Sequence, residues 1–326
     1  MDHLLRATDV VGKSVLVRLD LDLSKEKGKF DLTRLEDGLA TLRHLLDHNV
    51  RQITVIAHMG RPEGKKVSSL SLKPIEKIIR KKLSVPKTIT LSVLENLRFD
   101  KREEAGSMPF ARELAKGHDL FVNDAFASSH REHTSITFIP KVLPSVFGIQ
   151  FEIELRGLDP AMNQPKRPFL VILGGTKLET KLPLIEKLTN KVDIICVGGK
   201  LAAELVARPN ERRKLIIAKM TADGFDIGKD SIEQFGRFIA MAQTIVWNGP
   251  VGKFENPHYR AGTRAIAKML ASRHAYSIVG GGDTEAALSL MKVEKGFSFI
   301  SSGGGALLEY VANGTLPGIE AVKASN

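Results

Sequence analysis

The chain contains one cysteine, one tryptophan and three tyrosines among 326 residues. A single cysteine excludes an internal disulfide framework. It lies in the apolar run "VDIICVGG", where Cys196 reads as a small buried residue and not as a catalytic thiol. No apolar run approaches the length of a bilayer crossing, so no membrane partner is expected. The opening stretch "MDHLLRATDVVGKSVLVRLD" lacks the successive charged, apolar and small-residue sections of a signal peptide, and the cytosol is the expected location. Aromatics are also missing from the basic clusters "IRKKL" and "ERRK". With nothing there to stack a base, these clusters read as solvated faces, which argues against nucleic acid.

What is present describes a globular enzyme-sized chain, 43% hydrophobic and 26% charged, long enough for two cores. Lysine and arginine number 48 against 37 acids, a net charge of +11. That excess suits nucleic acid, acidic surfaces or small polyanionic substrates equally well. Short β-branched runs ("SVLVRLD", "RQITVIAH", "KTITLSV", "DLFVND", "FLVILGG", "DIICVGG", "KLIIAK", "TIVWNG", "YSIVGG") alternate with helical patterns such as "TRLEDGLATLRHLLDH", apolar at Leu35, Leu39, Leu42, Leu45 and Leu46. The fold class is therefore α/β, with Rossmann-like parallel sheets flanked by helices, and ligands are expected outside the carboxyl ends of the strands. "IQFEIELRGL" has helical spacing and precedes three prolines in "DPAMNQPKRP", so residues 150–158 read as a helix joining two similar domains.

Strand exits of the first half deliver Asp20, Arg34, His58 and Arg61 ("HMGRP"), Arg98, and His130 and Arg131 ("SHREH"), each from a different loop. Alone, an arginine after a strand is more often a surface charge. Several converging on one crevice would repel one another unless an anion neutralised them. Because the guanidinium fork donates two parallel bonds to phosphate or carboxylate, a ligand carrying both groups would use the whole set. Asp20 would accept from a substrate hydroxyl or orient an arginine; its plainer reading is a turn cap.

The second half carries four glycine-rich strand exits, "LGGTKLETK", "VGGKLA", "VGGGDTE" and "SSGGGALLE", each leading into a helix. Glycine admits a phosphate to the backbone, and the following helix start offers unpaired N–H groups. Neither a Walker A spacing nor a dinucleotide fingerprint is present. Lys177 and Lys181 stand four apart on one predicted helix face beginning near Leu178, placed to hold a phosphoryl group. Asp283 is a hard oxygen ligand where Mg²⁺ would bridge nucleotide phosphates, Thr284 would open its helix with a hydroxyl, and Glu255 would accept from a ribose.

In the same order along nearly the whole chain, "VLVRLDLD", "DLTRL", "HMGRP", "SLKP", "LENLRF", "VNDAF", "SHREH", "LPSVFG", "LGGTKLETK", "TIVWNGPVGKFE", "IVGGGDT" and "SSGGGALLE" resemble the signatures of the phosphoglycerate kinase family. The resemblance implies reversible phosphoryl transfer between 1,3-bisphosphoglycerate with ADP and 3-phosphoglycerate with ATP, dependent on Mg²⁺, by a monomer. It assigns Asp20, Asp22, Arg34, His58, Arg61, Arg98 and Arg131 to 3-phosphoglycerate. To the nucleotide it assigns Gly175, Lys177, Lys181, Gly199, Asn248, Pro250, Glu255, Gly281, Gly282, Asp283 and Thr284, with Asp283 also on the metal. Arg34, Lys177, Gly282 and Gly305 would stabilise charge on the migrating group. The implied organisation is a 3-phosphoglycerate domain (1–149), a joining helix (150–158), a nucleotide domain (159–305) and a segment (306–326) returning toward the first domain. Hinges near the joining helix and "ISSGGG" would close the domains for in-line transfer.

Three substitutions depart from the family pattern. Asp22 stands where asparagine is expected, adding a carboxylate beside an anionic substrate, with repulsion, weaker binding or a raised pKa as the expected result. Lys200 takes the third place of a glycine triplet, and Lys253 replaces a small apolar residue against the base, which its stem would still cover. The stretch between Gly199 and Trp247 is also short, with "FDIGKDS" as its remnant. If these changes abolish turnover, the scaffold becomes an anion- or nucleic-acid-binding protein.

Overall fold

The computed structural model describes residues 3–26, 29–175, 178–206 and 214–325. Two compact units emerge, Met1–Glu154 with Thr315–Asn326, and Leu155–Gly314. Each is built on its own parallel sheet.

In the first unit, β1 (Ser14–Leu19) is followed by a short antiparallel ribbon, β2 (Lys25–Glu26) and β3 (Lys29–Phe30), then α1 (Thr33–Asp47) and β4 (Gln52–Ile56). α2 (Lys73–Lys82), β5 (Thr90–Val93), α3 (Lys101–Ala105), α4 (Met108–Ala115), β6 (Leu120–Asp124) and β7 (Ser145–Phe147) complete the βα run. The strand order is β5-β4-β1-β6-β7. Alternation along the central strand sorts the core. Val15, Val17 and Leu19 pack with Leu35, Leu39, Leu42 and Leu45 of α1 on one face, while Leu16 faces Phe110, Leu114 and Phe121 on the other. All six residues of β1 are buried, Arg18 among them. A guanidinium inside a sheet is costly unless paired, and its partners are described below.

The predicted joining helix is longer than 150–158. α5 runs Ile149–Met162 and passes through Pro160, which removes one donor near the end without ending the helix. Its start is held in the first unit: Ile149 N–H donates to Thr41 Oγ1 (2.8 Å) and Phe151 N–H to Asp124 Oδ1 (2.9 Å). Burial pushes the Asp124 carboxyl up to about 7 against the pull of these hydrogen bonds.

The second unit contains β8 (Phe169–Leu173), α6 (Leu178–Leu188), β9 (Ile194–Val197), α7 (Gly199–Val206), β10 (Leu215–Ile217), α8 (Lys229–Met241), β11 (Thr244–Asn248), α9 (Ala261–Ala271), β12 (Tyr276–Gly280), α10 (Gly282–Met291), β13 (Phe299–Ser301) and α11 (Gly304–Asn313). Its order is β10-β9-β8-β11-β12-β13, all parallel. β7 and β13, three residues each, are absent from the sequence reading, whereas β10, equally short, lies in the apolar run "KLIIAK". The expected returning segment 306–326 divides: α11 stays in the second unit, and α12 (Pro317–Lys323) belongs to the first. There Gly318 N–H donates to Ser129 O (2.9 Å), and a Cβ at Gly318 would stand 2.7 Å from that of Ser129. The terminal helix thus backs the loop that carries His130 and Arg131.

Candidate active site

Seven sequence-predicted residues meet in one cleft at the carboxyl edge of the first sheet. Asp20, Asp22, Arg34, His58, Arg61, Arg98 and Arg131 line it together with Ala127, Ser128 and His130, around an empty volume of about 350 Å³. Parallel topology explains the convergence, since β1, β4 and β6 end side by side and their exits face the same way. Four guanidinium groups face two carboxylates. Both carboxylates are engaged with their surroundings. Arg34 Nη1 donates to Asp20 Oδ2 (3.1 Å), and the Gly60 N–H donates to Asp22 Oδ1 (2.8 Å).

Asp22 differs from expectation. Burial would raise its pKa, but the His58 ring 3.7 Å away, the Gly60 N–H and the Arg34 charge outweigh that and hold it well below the usual carboxylate range. The added carboxylate is thus fully ionised at neutral pH, and the expected raised pKa is corrected. His58 moves the other way. Its burial, reinforced by Arg18 and Arg98, depresses it to about 4 despite Asp22 Oδ2 at 3.7 Å. His130 is likewise lowered to about 4, chiefly by burial and then by Arg131. The cleft therefore presents neutral imidazoles beside permanent guanidiniums.

Arg98 is nearly buried, donating Nη1 to Gly60 O (2.7 Å) with Nε 3.1 Å from Glu104 Oε1 in an ion pair that lacks hydrogen-bond alignment. Among the described residues, the Arg61 and Arg131 side chains make no hydrogen bond or ion pair, which leaves both available to a ligand. Sequence reasoning placed His130 in the basic set without a specific role and assigned none to Arg18, Glu103, Glu104 or Ser128. The signal for Arg18 was a lone charge inside the otherwise apolar "VLVRL".

In the second unit the glycine loops gather around Asn248. Its amide donates to Gly280 O (2.7 Å) and Gly304 O (3.1 Å), and its Oδ1 accepts from Lys181 Nζ (3.1 Å), which also donates to Gly174 O (2.6 Å). One buried side chain thereby ties the exits of β8, β12 and β13 to that of β11. Close approach requires glycine here. Gly249 has φ +92°, and a Cβ on it would fall 2.5 Å from Gly174 O. Pro250 is buried and its carbonyl accepts from Gly175 N–H (3.0 Å). Gly199 opens α7 with φ +65° beside the same carbonyl.

Thr284 does not open its helix. Gly281, φ +108°, stands at the cap, while the Thr284 hydroxyl accepts from Gly249 N–H (2.8 Å) and donates to Gly280 O (3.3 Å). No side chain caps α10 or α11, whose starts at Gly282 and Gly304, one residue before the expected Gly305, leave N–H groups open to an anion. A Cβ at Gly282 would meet nothing within 4 Å, so the space before α10 is open. Asp283 in that first turn is exposed, as is Glu255. Among the described residues no three His, Cys, Asp or Glu side chains cluster as a metal site. Lys177 lies outside the described residues, so its predicted pairing with Lys181 has no structural account.

Lys200 is largely exposed, 3.9 Å from Glu204. Lys253 Nζ lies 5.3 Å over the ring of Phe225, which in turn packs on Tyr259 at 4.9 Å, so its ammonium rests on this chain's own aromatic ring. The "FDIGKDS" remnant is structural in part: Asp226 Oδ2 accepts from Gly262 N–H (2.9 Å) at the start of α9. Cys196 is buried, and burial pushes its thiol far up, which suits the structural reading.

The phosphoglycerate kinase family model matches residues 5–212 and 207–314. A phosphoglycerate kinase of Roseiflexus sp. (strain RS-1) is 35% identical across 98% of both chains, and one of Dictyoglomus turgidum is 34% identical across 97% of this chain and 96% of its own. The Roseiflexus alignment spans 388 positions against 326 residues here, so that relative carries segments this chain lacks. Among solved structures, the phosphoglycerate kinase from Coxiella burnetii is 30% identical with a TM-score of 0.82 over 99% of both chains. That from Pyrococcus horikoshii OT3, 23% identical with a TM-score of 0.83, shares the fold. With both sheets, the basic cleft and the glycine loops in place, the chain belongs to the phosphoglycerate kinase family, phosphotransferases of glycolysis whose acceptor is a carboxyl group.

Proposed function

We propose that this chain transfers a phosphoryl group reversibly between ATP and the carboxylate of 3-phosphoglycerate. The observation that carries the acceptor assignment is the cleft of four arginines against two carboxylates, with two histidines neutral at pH 7. A three-carbon acid phosphate supplies the missing anions at both ends. Arg61 and Arg131, which have no partner among the described residues, suit the phosphate; Arg34, oriented by Asp20, suits the reacting carboxylate. His58 donates from Nε2 to the ligand without adding charge.

In the forward direction of that chemistry, a carboxylate oxygen attacks the γ-phosphorus in line. The bond to the β-phosphate oxygen breaks and ADP leaves, with no covalent enzyme intermediate. The uncapped starts of α10 and α11 direct N–H groups at the transferring phosphates, and Lys181 steadies the loops that present them. Direct transfer requires the two units to bring their ligands together, with the adaptable segment placed near α5 and the 301–305 turn. Asp283, an exposed carboxylate in the first turn of α10, would hold Mg²⁺ as a hard-oxygen ligand alongside the nucleotide. When bound, Mg²⁺ neutralises charge on the phosphates. The chain is expected to act as a monomer in the cytosol.

A coupled assay with 3-phosphoglycerate and MgATP tests the reading. Turnover lowered on the order of 10³-fold in Arg34→Ala is expected, whereas a folded wild type without turnover leaves the alternative of an anion-binding protein. Comparing ATP with GTP then reads base preference, since the segments this chain lacks lie partly between Gly199 and Trp247.

A further inference from the structure

His58 is held from behind. Arg18, 1% exposed, donates from Nη2 to His58 Nδ1 at 2.7 Å. A guanidinium can only donate, so Nδ1 must carry the lone pair, and the neutral ring must keep its proton on Nε2, the nitrogen nearest Asp22 in the cleft. The tautomer that faces the ligand is thus decided by the placement of Arg18.

The position of Arg18 is decided one step further back. Its Nε donates to Ser135 Oγ (3.0 Å) and its Nη1 to Leu19 O. A hydroxyl has one proton, and that of Ser135 goes to Glu103 Oε1 at 2.6 Å, while the Ser135 N–H donates to Glu103 Oε2 at 3.0 Å. Glu103 is fully buried in the five-residue α3. With both its oxygens accepting from Ser135, the hydroxyl has its lone pairs turned toward Arg18. Arg18 has only donors, so what Ser135 and Glu103 supply is an oriented acceptor that holds the guanidinium against His58. His133 Nδ1, 3.9 Å from Glu103 Oε1, is the other ionisable group against this carboxylate within ion-pair reach among the described residues.

We propose that Glu103, through Ser135 and Arg18, is a positioning residue that fixes the His58 tautomer and so presents Nε2–H to the substrate. The ligand half of this rests on the proposed function; the relay itself does not. Its neighbour Glu104 pairs with Arg98 directly, so α3 supplies one carboxylate toward each of two buried arginines, Arg18 behind the cleft through Ser135 and Arg98 in its lining.

The test is ¹⁵N NMR of the His58 ring with 3-phosphoglycerate kinetics, in wild type, Glu103→Gln and Ser135→Ala. Wild type should show Nδ1 unprotonated and Nε2 protonated at pH 7. Both variants should mix the tautomers and raise KM for 3-phosphoglycerate about tenfold, with a smaller change in kcat. A wild-type ring with its proton on Nδ1, or variants whose ring matches wild type, overturns the relay. Mixed tautomers with an unchanged KM uphold the relay and overturn the ligand assignment of the cleft. Should Glu103→Gln fail to fold, Ser135→Ala and the wild-type ring still decide the question.

Discussion

Lowering the pH from 7.5 to 5 should cost the first unit about 2 kcal/mol through His58 alone. The imidazole has a native pKa of about 4 against an ordinary value of 6.5, because burial and the Arg18 and Arg98 charges oppose its protonation. A base whose native pKa is depressed leaves stability intact above the unfolded value. Stability falls as pH drops below 6.5 and levels off below about 4, where both states are protonated. At pH 5 the unfolded ring is almost wholly charged and the native ring almost wholly neutral, which sets the magnitude. His130 (about 4) and His133 (about 3) add in the same direction, while Asp124, raised to about 7, acts in the opposite one. Wild type alone therefore cannot isolate His58, and the comparison must be with His58→Gln, which keeps an acceptor for Arg18. Trp247 sits in the second unit and would miss the event. The suitable assay is hydrogen exchange by mass spectrometry on peptides of β1 and β4, with a urea series at each pH. Parallel pH profiles for the two proteins would refute the depressed pKa.

Other outcomes follow from the same geometry. Asp22→Asn should tighten 3-phosphoglycerate binding about fivefold by calorimetry at pH 7.5, a gain of about 1 kcal/mol once the carboxylate's partial exposure is allowed for; the amide still accepts from Gly60, and equal or weaker binding would remove the repulsion argument. Arg34→Ala should lower kcat on the order of 10³-fold while costing about 0.5–1 kcal/mol of stability from its partly exposed ion pair; a large loss of stability with modest loss of turnover would make Arg34 structural. Gly249→Ala should destabilise the second unit by more than about 3 kcal/mol, read by Trp247 fluorescence in urea, because left-handed strain adds to a clash with Gly174 O. Gly224→Ala, also at positive φ but with nothing within 4 Å, should cost only about 1 kcal/mol.

The leucines of α1 and the valines of β1 were legible because helix and strand periods are local properties of the chain. The members of the basic cleft were legible for a related reason. Once the sheet is parallel, strand exits must share an edge, and His58, Arg61, Arg98 and Arg131 are all strand-exit residues. The three-residue β13 went unread, whereas the equally short β10 lay in an apolar run, and α5 outran its expected end because one proline near a helix terminus removes a single bond.

The chain by itself therefore determined two parallel sheets, a cradle of arginines and a set of glycine-rich strand exits. Only the tertiary structure decided how those groups behave. Asp22 is ionised and His58 neutral because burial and neighbours brought from distant loops set their protonation. Asn248 and Thr284 hold loops together because their polar atoms meet backbone groups from other strands. Glu103 reaches the cleft through Ser135, 32 positions along the chain, and Arg18, a distance that no local period records. Hydrogen-bond polarity and desolvation are properties of spatial neighbours, and sequence order does not name those neighbours.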